Sequence, residues 1–294
     1  MHKFLRAVGF SDIKKEEFKK ICSQIADNPT VSKTAIDSEG NQFLEVSGEF
    51  GDSFGVTLRG TTAKDGTTEF DYYYPYIHGS KISTLESIDV EKYAEKEAYA
   101  GICEEMRLSV TLIFYLQNVA EYLNRLDRPA QERQINGAKL GALSTEGKIL
   151  LPISTEGQER AERILSECRE MSYFMTAGDG GELLPEHMGI GDMDMFYMLS
   201  RRYMDEDILS IINTYFMPYG VENDQYTIMG QIIDFALTEN RLSGEKIYRL
   251  EIKCNNMVFC VCINQKDLLG EPQVGRRFKG DIWMQGVVLY KEMV

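Results

Sequence analysis

Histidine is scarce in this chain: His2, His78 and His187 are the only three among 294 residues. None belongs to an H-E-x-x-H pair, so the helical zinc site of a metalloprotease is excluded. The six cysteines show no C-x-x-C spacing, which removes zinc-ribbon and thioredoxin-type chemistry. Positive charge is also short. Thirty-two basic against 46 acidic residues leave a formal net charge of −14. A field of that sign repels nucleic acid and anionic membranes, so neither is an expected partner. Long apolar runs are absent too. The most apolar stretch, "LSVTLIFYL" at residues 108–116, is far too short for a helical span and suits a buried strand.

The first residues, "MHKFLRAVGF", break their apolar run at Arg6 and offer no small-residue cleavage site, unlike a secretory signal. These features give the expectation of a cytoplasmic protein with reduced thiols. No metal and no cofactor is expected from the motifs. Glu186, His187, Asp192 and Asp194 do gather in a glycine-rich loop, but they match no calcium-loop spacing. That loop is read as a linker.

What is present is β-rich at both ends. A helix is expected after Ser11 as N-cap, with Phe18, Ile21, Cys22 and Ile25 as its apolar face and Asn28-Pro29 as its stop. Residues 42–77 alternate as strands between turn residues. A hairpin turning at Thr145-Glu146-Gly147 is expected next, then an amphipathic helix from Thr155. The remainder alternates as several strands with no helix between them. The fold class is therefore read as α+β. It comprises an N-terminal mixed domain (1–135), a hairpin-helix connection with its loop (136–191), and a C-terminal antiparallel, β-barrel-like domain (192–294).

The densest chemistry lies near the end, in "GEPQVGRRFKGDIWMQGVV". Gly275 and Gly280 carry phosphate-loop spacing, but Asp281 and Ile282 stand where Lys and Ser or Thr are required, and a strand follows instead of a helix. Read as a strand, the stretch puts Phe278, Ile282, Met284, Val288 and Tyr290 on one apolar face. Arg277, Lys279, Asp281, Trp283 and Gln285 fall on the other. With Arg276, this second face makes Arg276, Arg277, Lys279, Trp283 and Gln285 a candidate site for a small anionic ligand, since an aromatic plane beside cations stacks such molecules. Packing of Trp283 in the core is the favoured alternative. A second candidate is the row Tyr72, Tyr74 and Tyr76, whose amphipathic rings suit an interface, with Pro75 marking an edge strand. In the cysteine-rich hairpin the turn Asn255-Asn256 pairs Cys254 with Met257, so Cys254 faces the core while Cys260 and Cys262 face the other side.

The opening "MHKFLRAVGF" and the closing "CINQKDLLGEPQVGRRFKGDIWMQG", taken with the chain length, resemble a bacterial domain-of-unknown-function family described from Firmicutes. The resemblance runs the whole chain. It implies a cytoplasmic bacterial protein and supplies no catalytic or binding residue. From the missing catalytic motifs, the tyrosine row and the basic–aromatic strand, the expectation is a non-enzymatic binding or regulatory protein with an unidentified protein or small-molecule partner. The alternatives are a carboxylate- or metal-dependent hydrolase and a nucleotide-type anion binder.

Overall fold

The structure is a computed structural model describing residues 1–63, 65–92, 97–108, 110–153, 213–220 and 223–291. A 3-10 turn (Lys3–Val8) opens the chain and is followed by α1 (Lys15–Asp27). Ser11 does not cap α1. Its hydroxyl donates to Glu245, and the helix begins at Lys15, where the Glu17 carboxylate accepts the Lys14 N–H at 3.4 Å. Phe18, Ile21 and Ile25 are buried at the expected helical spacing.

Four antiparallel strands come next, β1 (Val31–Ile36), β2 (Gln42–Gly51), β3 (Phe54–Thr62) and β4 (Thr68–Ile77), paired in sequence order as one sheet. One face of this sheet packs on α1 and the 3-10 turn, through Val46, Val56 and Leu58. The opposite face carries a polar row, because Glu45 pairs with Arg59 and Arg59 with Tyr72. β4 is an edge strand, which accounts for the tolerance of Pro75.

The remaining strands form the second, ten-stranded sheet. They are β5 (Asp89–Lys92), β6 (Tyr99–Glu105), β7 (Val110–Leu116), β8 (Ile135–Leu150), β9 (Tyr215–Pro218), β10 (Gln225–Glu239), β11 (Lys246–Cys254), β12 (Met257–Asn264), β13 (Leu268–Leu269) and β14 (Arg277–Tyr290). Two helices, α2 (Val119–Leu126) and the single turn α3 (Ala130–Arg133), link β7 to β8. The described chain is thus mostly β, with few and short helices. Strands from residues 89–116 and from 225–290 share this sheet, so its hydrogen bonding runs across position 135.

β8 corrects one expectation. Residues 135–150 are a single strand and not a hairpin. Thr145 is accommodated as a bulge, since Asp281 pairs with Glu146 but Ile282 pairs with Ser144. Gly147 is required by contact and not by a turn: a Cβ there would lie 2.4 Å from a ring carbon of Phe278.

β14 pairs with β10 on one side and β8 on the other. β8 pairs in parallel with β12, β12 with β11, and β11 with β10. Pairing therefore returns on itself through these five strands. Their inward side chains, including Ile228, Leu250, Ile252, Phe259, Val261 and Ile282, belong to one buried cluster. Their outward neighbours Leu143, Cys260, Cys262 and Trp283 belong to a second cluster with Phe4, Val8 and Phe54. Both faces of β12 and β14 are buried, which explains why "MVFCVC" is continuously apolar. The cysteine hairpin turns at Asn255-Asn256, with φ 45° and 66°, and pairs Cys254 with Met257.

Candidate functional site

The polar row of the first sheet meets the end of β7. Arg59 is 0% exposed, and a bare guanidinium there would be strongly destabilising. Its donors are all engaged. Nε donates to Glu45 at 2.8 Å, and Nη1 to the hydroxyls of Tyr115 (2.9 Å) and Tyr72 (3.3 Å). Nη2 donates to Tyr74 Oη (3.0 Å) and to the carbonyls of Leu116 (3.1 Å) and Gln117 (2.7 Å). The guanidinium carbon also lies 4.7 Å from the Tyr74 ring centre and 5.4 Å from that of Tyr115. Burial alone favours the neutral form, yet the oxygens around it, led by Tyr115 and Tyr74, hold Arg59 charged far above the ordinary range. Burial likewise pushes the Tyr74 and Tyr115 hydroxyls up, so both stay protonated.

A seam of side chains continues from this point. Gln117 donates to the Ile77 carbonyl at 3.0 Å and to Gln285 at 2.8 Å. Its oxygen pairs with His78 Nδ1 at 2.9 Å. Gln285 donates in turn to the Pro75 carbonyl at 2.9 Å. Beside it the Tyr115 ring lies 5.3 Å from Trp283, which packs on Phe4 (5.4 Å) and His2 (4.8 Å). The indole N–H donates to Asp224 at 2.8 Å, so the polar edge of this buried ring is satisfied. Burial, helped by Lys3 and the chain terminus, pushes the His2 imidazole down to about 4.

The two sets of residues singled out in the sequence thus meet in part. Tyr72 and Tyr74 enclose Arg59, and Trp283 and Gln285 reach the same seam through Tyr115 and Gln117. Tyr74 and Tyr76 are each only 3% exposed and pack inward, while Tyr72 is half-buried. The basic members stand apart, near the start of β14. Arg277 is 4% exposed and gives Nε and Nη2 to the Leu151 carbonyl at 3.0 and 2.8 Å. Arg276 donates to the Glu271 carbonyl at 2.9 Å. Lys279 lies 5.9 Å from the Tyr215 ring centre. Arg277, Lys279, Trp283 and Gln285 share a strand face, as alternation requires, but the contacts of Arg277 and Lys279, to Leu151 and Tyr215, are separate from those of Trp283 and Gln285, to Asp224 and Pro75. The Glu186 to Asp194 loop and the helix expected from Thr155 lie outside the described residues.

Sequence reasoning missed several residues. Arg59 was visible as a lone cation inside the strand "SFGVTLRG", which signals a buried, paired charge. "GDSFG", residues 51–55, matches the G-x-S-x-G nucleophile pattern. That pattern serves catalysis on a strand-to-helix elbow. Here it forms the hairpin turn between β2 and β3, with Ser53 at φ 65°. His78 is its cross-strand neighbour, joined through the His78 N–H to the Ser53 carbonyl at 2.9 Å.

A family model described as a domain of unknown function, named after an E. rectale gene, matches residues 5–286. The chain belongs to the DUF3881 family. No curated protein and no solved structure matches it. The Arg59 clamp, Gln117, Trp283 and Gln285 of this DUF3881 chain lie within the matched span. Among its described residues, no group of three or more His, Cys, Asp or Glu side chains is placed to hold a metal ion. No described helix is long and apolar enough to cross a membrane. Burial pushes the thiol of Cys22 up to about 11, and those of Cys103, Cys254 and Cys260 to about 12, far from the thiolate form a nucleophile needs.

One surface feature was not visible in the sequence pattern. The outer half of β10 pairs with β11 on one side, while β14 ends its pairing with β10 at Gln231. Beyond the contact of Ile232 with Gly275 and Arg276, no described strand covers the second edge of residues 233–239. Phe235 and Leu237 on this stretch are 38% and 46% exposed.

Proposed function

We propose that this chain is a non-catalytic binding protein that docks an extended polypeptide strand at the open edge of β10. The carrying observation is the pair Phe235 and Leu237, large apolar side chains on a strand whose second edge pairs with no described strand. Natural proteins ordinarily blunt such edges with charge, proline or cover, because they template pairing with another chain. Strand addition at an exposed edge is a common mode of peptide recognition. The saturated donors of Arg59 and the raised thiols accord with a scaffold role for the interior. We read β8, β10, β11, β12 and β14 as a small barrel-like unit, supported by the return of pairing from β14 to β8. Its interior is filled by side chains, which makes the rim and not the lumen the binding surface. A cytoplasmic setting accords with the free thiols of the described cysteines.

The test is fluorescence polarisation with labelled, extended heptapeptides rich in β-branched residues. Binding that is retained in the wild type and lost in Leu237→Pro supports the reading. No binding by any such peptide to dilute, monomeric protein contradicts it. A second reading, a serine hydrolase, rests on Ser53 at its turn opposite His78, whose Nδ1 is held by Gln117. Labelling by an organophosphorus probe that disappears in Ser53→Ala would favour it over the first.

A further inference from the structure

The identity of the docked strand follows from the backbone polarity of β10. The β11–β12 hairpin has a two-residue turn with positive φ at both positions, so its flanking pair Cys254 and Met257 is hydrogen-bonded. Alternation then directs the backbone groups of Cys254, Ile252, Leu250 and Tyr248 toward β12, and those of Glu251, Arg249 and Ile247 toward β10. Their partners across β10 are Asp234, Ala236 and Thr238. The N–H and C=O groups of Phe235 and Leu237 therefore point to the open edge. An independent contact agrees: the Phe235 N–H is held by no described strand but by the Asp234 side chain at 2.9 Å.

We propose that the strand docked at this edge is the same stretch of a second copy of the chain, paired antiparallel about a two-fold axis through Ala236. This rests on the strand-docking reading above. Only outward-pointing residues can exchange ladder hydrogen bonds, so the register must join odd-numbered positions. The register centred on Ala236 sets Phe235 against Leu237 twice, and their backbone groups supply four hydrogen bonds once the Phe235 N–H exchanges the Asp234 carboxylate for the partner strand. On one face it gathers two phenylalanine and two leucine side chains. On the other, Ala236 meets Ala236 and Asp234 meets Thr238, a carboxylate opposite a hydroxyl donor. No like charges stand directly opposite, which would be destabilising in a ladder. Shifting the centre to Leu237 sets Phe235 against Glu239 and loses the apolar match. Shifting it to Phe235 brings in Ile233, where the β10–β11 register slips. Such a contact is isologous and closes after two copies.

Two chains of charge −14 repel one another, so added salt screens the repulsion and tightens the pair. The test is sedimentation velocity of the full chain across a concentration series. Two variants accompany it. Leu237→Pro removes an N–H that faces only the open edge, a position where proline is tolerated. Leu237→Lys places two ammonium groups near the axis. The expected result is a wild-type dimer that strengthens with salt, with the dissociation constant raised roughly tenfold or more in both variants and the Tm of the dilute protein unchanged. A dimer that persists unweakened in both variants overturns the proposal. So does a wild type that stays monomeric at every concentration. In that last case a labelled peptide of residues 233–239 separates the two claims. Uptake of the peptide leaves strand docking standing without self-pairing, and no uptake removes both.

Discussion

Gln117 donates to Gln285 at 2.8 Å, and this bond joins the clamp around Arg59 to the strand that carries Trp283. Gln285 is fully buried and also meets the Pro75 carbonyl and the Ile77 N–H. Replacing it by leucine keeps the volume but strands partners on β4 and at the β7–α2 junction. Each polar group left buried and unpaired costs about 1–3 kcal/mol. Gln285→Leu is therefore expected to lower the urea midpoint markedly. An unchanged midpoint would show that the seam holds nothing together.

Arg59→Met removes the centre of the clamp and leaves Glu45, itself 6% exposed, as an uncompensated buried carboxylate. Breaking a buried ion pair from one side costs ~3–5 kcal/mol. The double variant with Glu45→Gln is expected to recover part of that loss, because the stranded charge is gone. Equilibrium denaturation of the single and double variants measures the difference, and equal stabilities for the two would contradict the pairing.

Gly147 and Gly280 both lie against the ring of Phe278, at 2.4 and 2.7 Å from where a Cβ would stand. Gly147→Ala overpacks the interior of the five-strand circuit and is expected to cost ~1–3 kcal/mol. Were residues 145–147 a solvent-exposed hairpin turn, alanine there would leave the interior untouched. Thermal unfolding of the variant decides between the two.

His2 has its folded-state pKa lowered from 6.5 to about 4, by burial first and then by Lys3 and the chain terminus. Between these values the unfolded chain binds more protons than the folded one, so stability rises with pH across the window. The contribution is complete above pH ~6.5 and is lost as pH falls through the folded value. Carboxylates titrate in the same range, so the readout is the difference between wild type and His2→Phe. That difference is expected to change with pH between about 4 and ~6.5, and to be flat above.

Periodicity was enough to place α1, the strands of residues 42–77, the cysteine hairpin and the two faces of β14. It also favoured a packed Trp283. The alternative, an open ligand face on β14, arises because its polar residues alternate with apolar ones. In the fold the 3-10 turn and the first sheet cover the Trp283 and Gln285 end of that face, and a one-dimensional pattern carries no record of such long-range cover. Thr145-Glu146-Gly147 resembled a turn for a similar reason: a bulge and a contact glycine use the same residue types as a hairpin loop. The site residues were hardest to find. Arg59 meets Tyr115 and Gln117 from more than fifty positions away. The exposure of Phe235 and Leu237 depends on where β14 stops pairing, which no local pattern announces.

Strand binding at the outer edge of β10 is tested most directly by amide hydrogen exchange. Residue-resolved exchange is followed at low and high protein concentration. Ala236 and Thr238, bonded to β11, are expected to be protected at both. Leu237, whose N–H faces the open edge, is expected to exchange rapidly in dilute protein and to gain protection as concentration rises, while Phe235, held by Asp234 at 2.9 Å, starts partly protected. Strong protection of Leu237 already at the lowest concentration, unaltered by dilution, would show that the edge is covered within one chain and would contradict strand binding there.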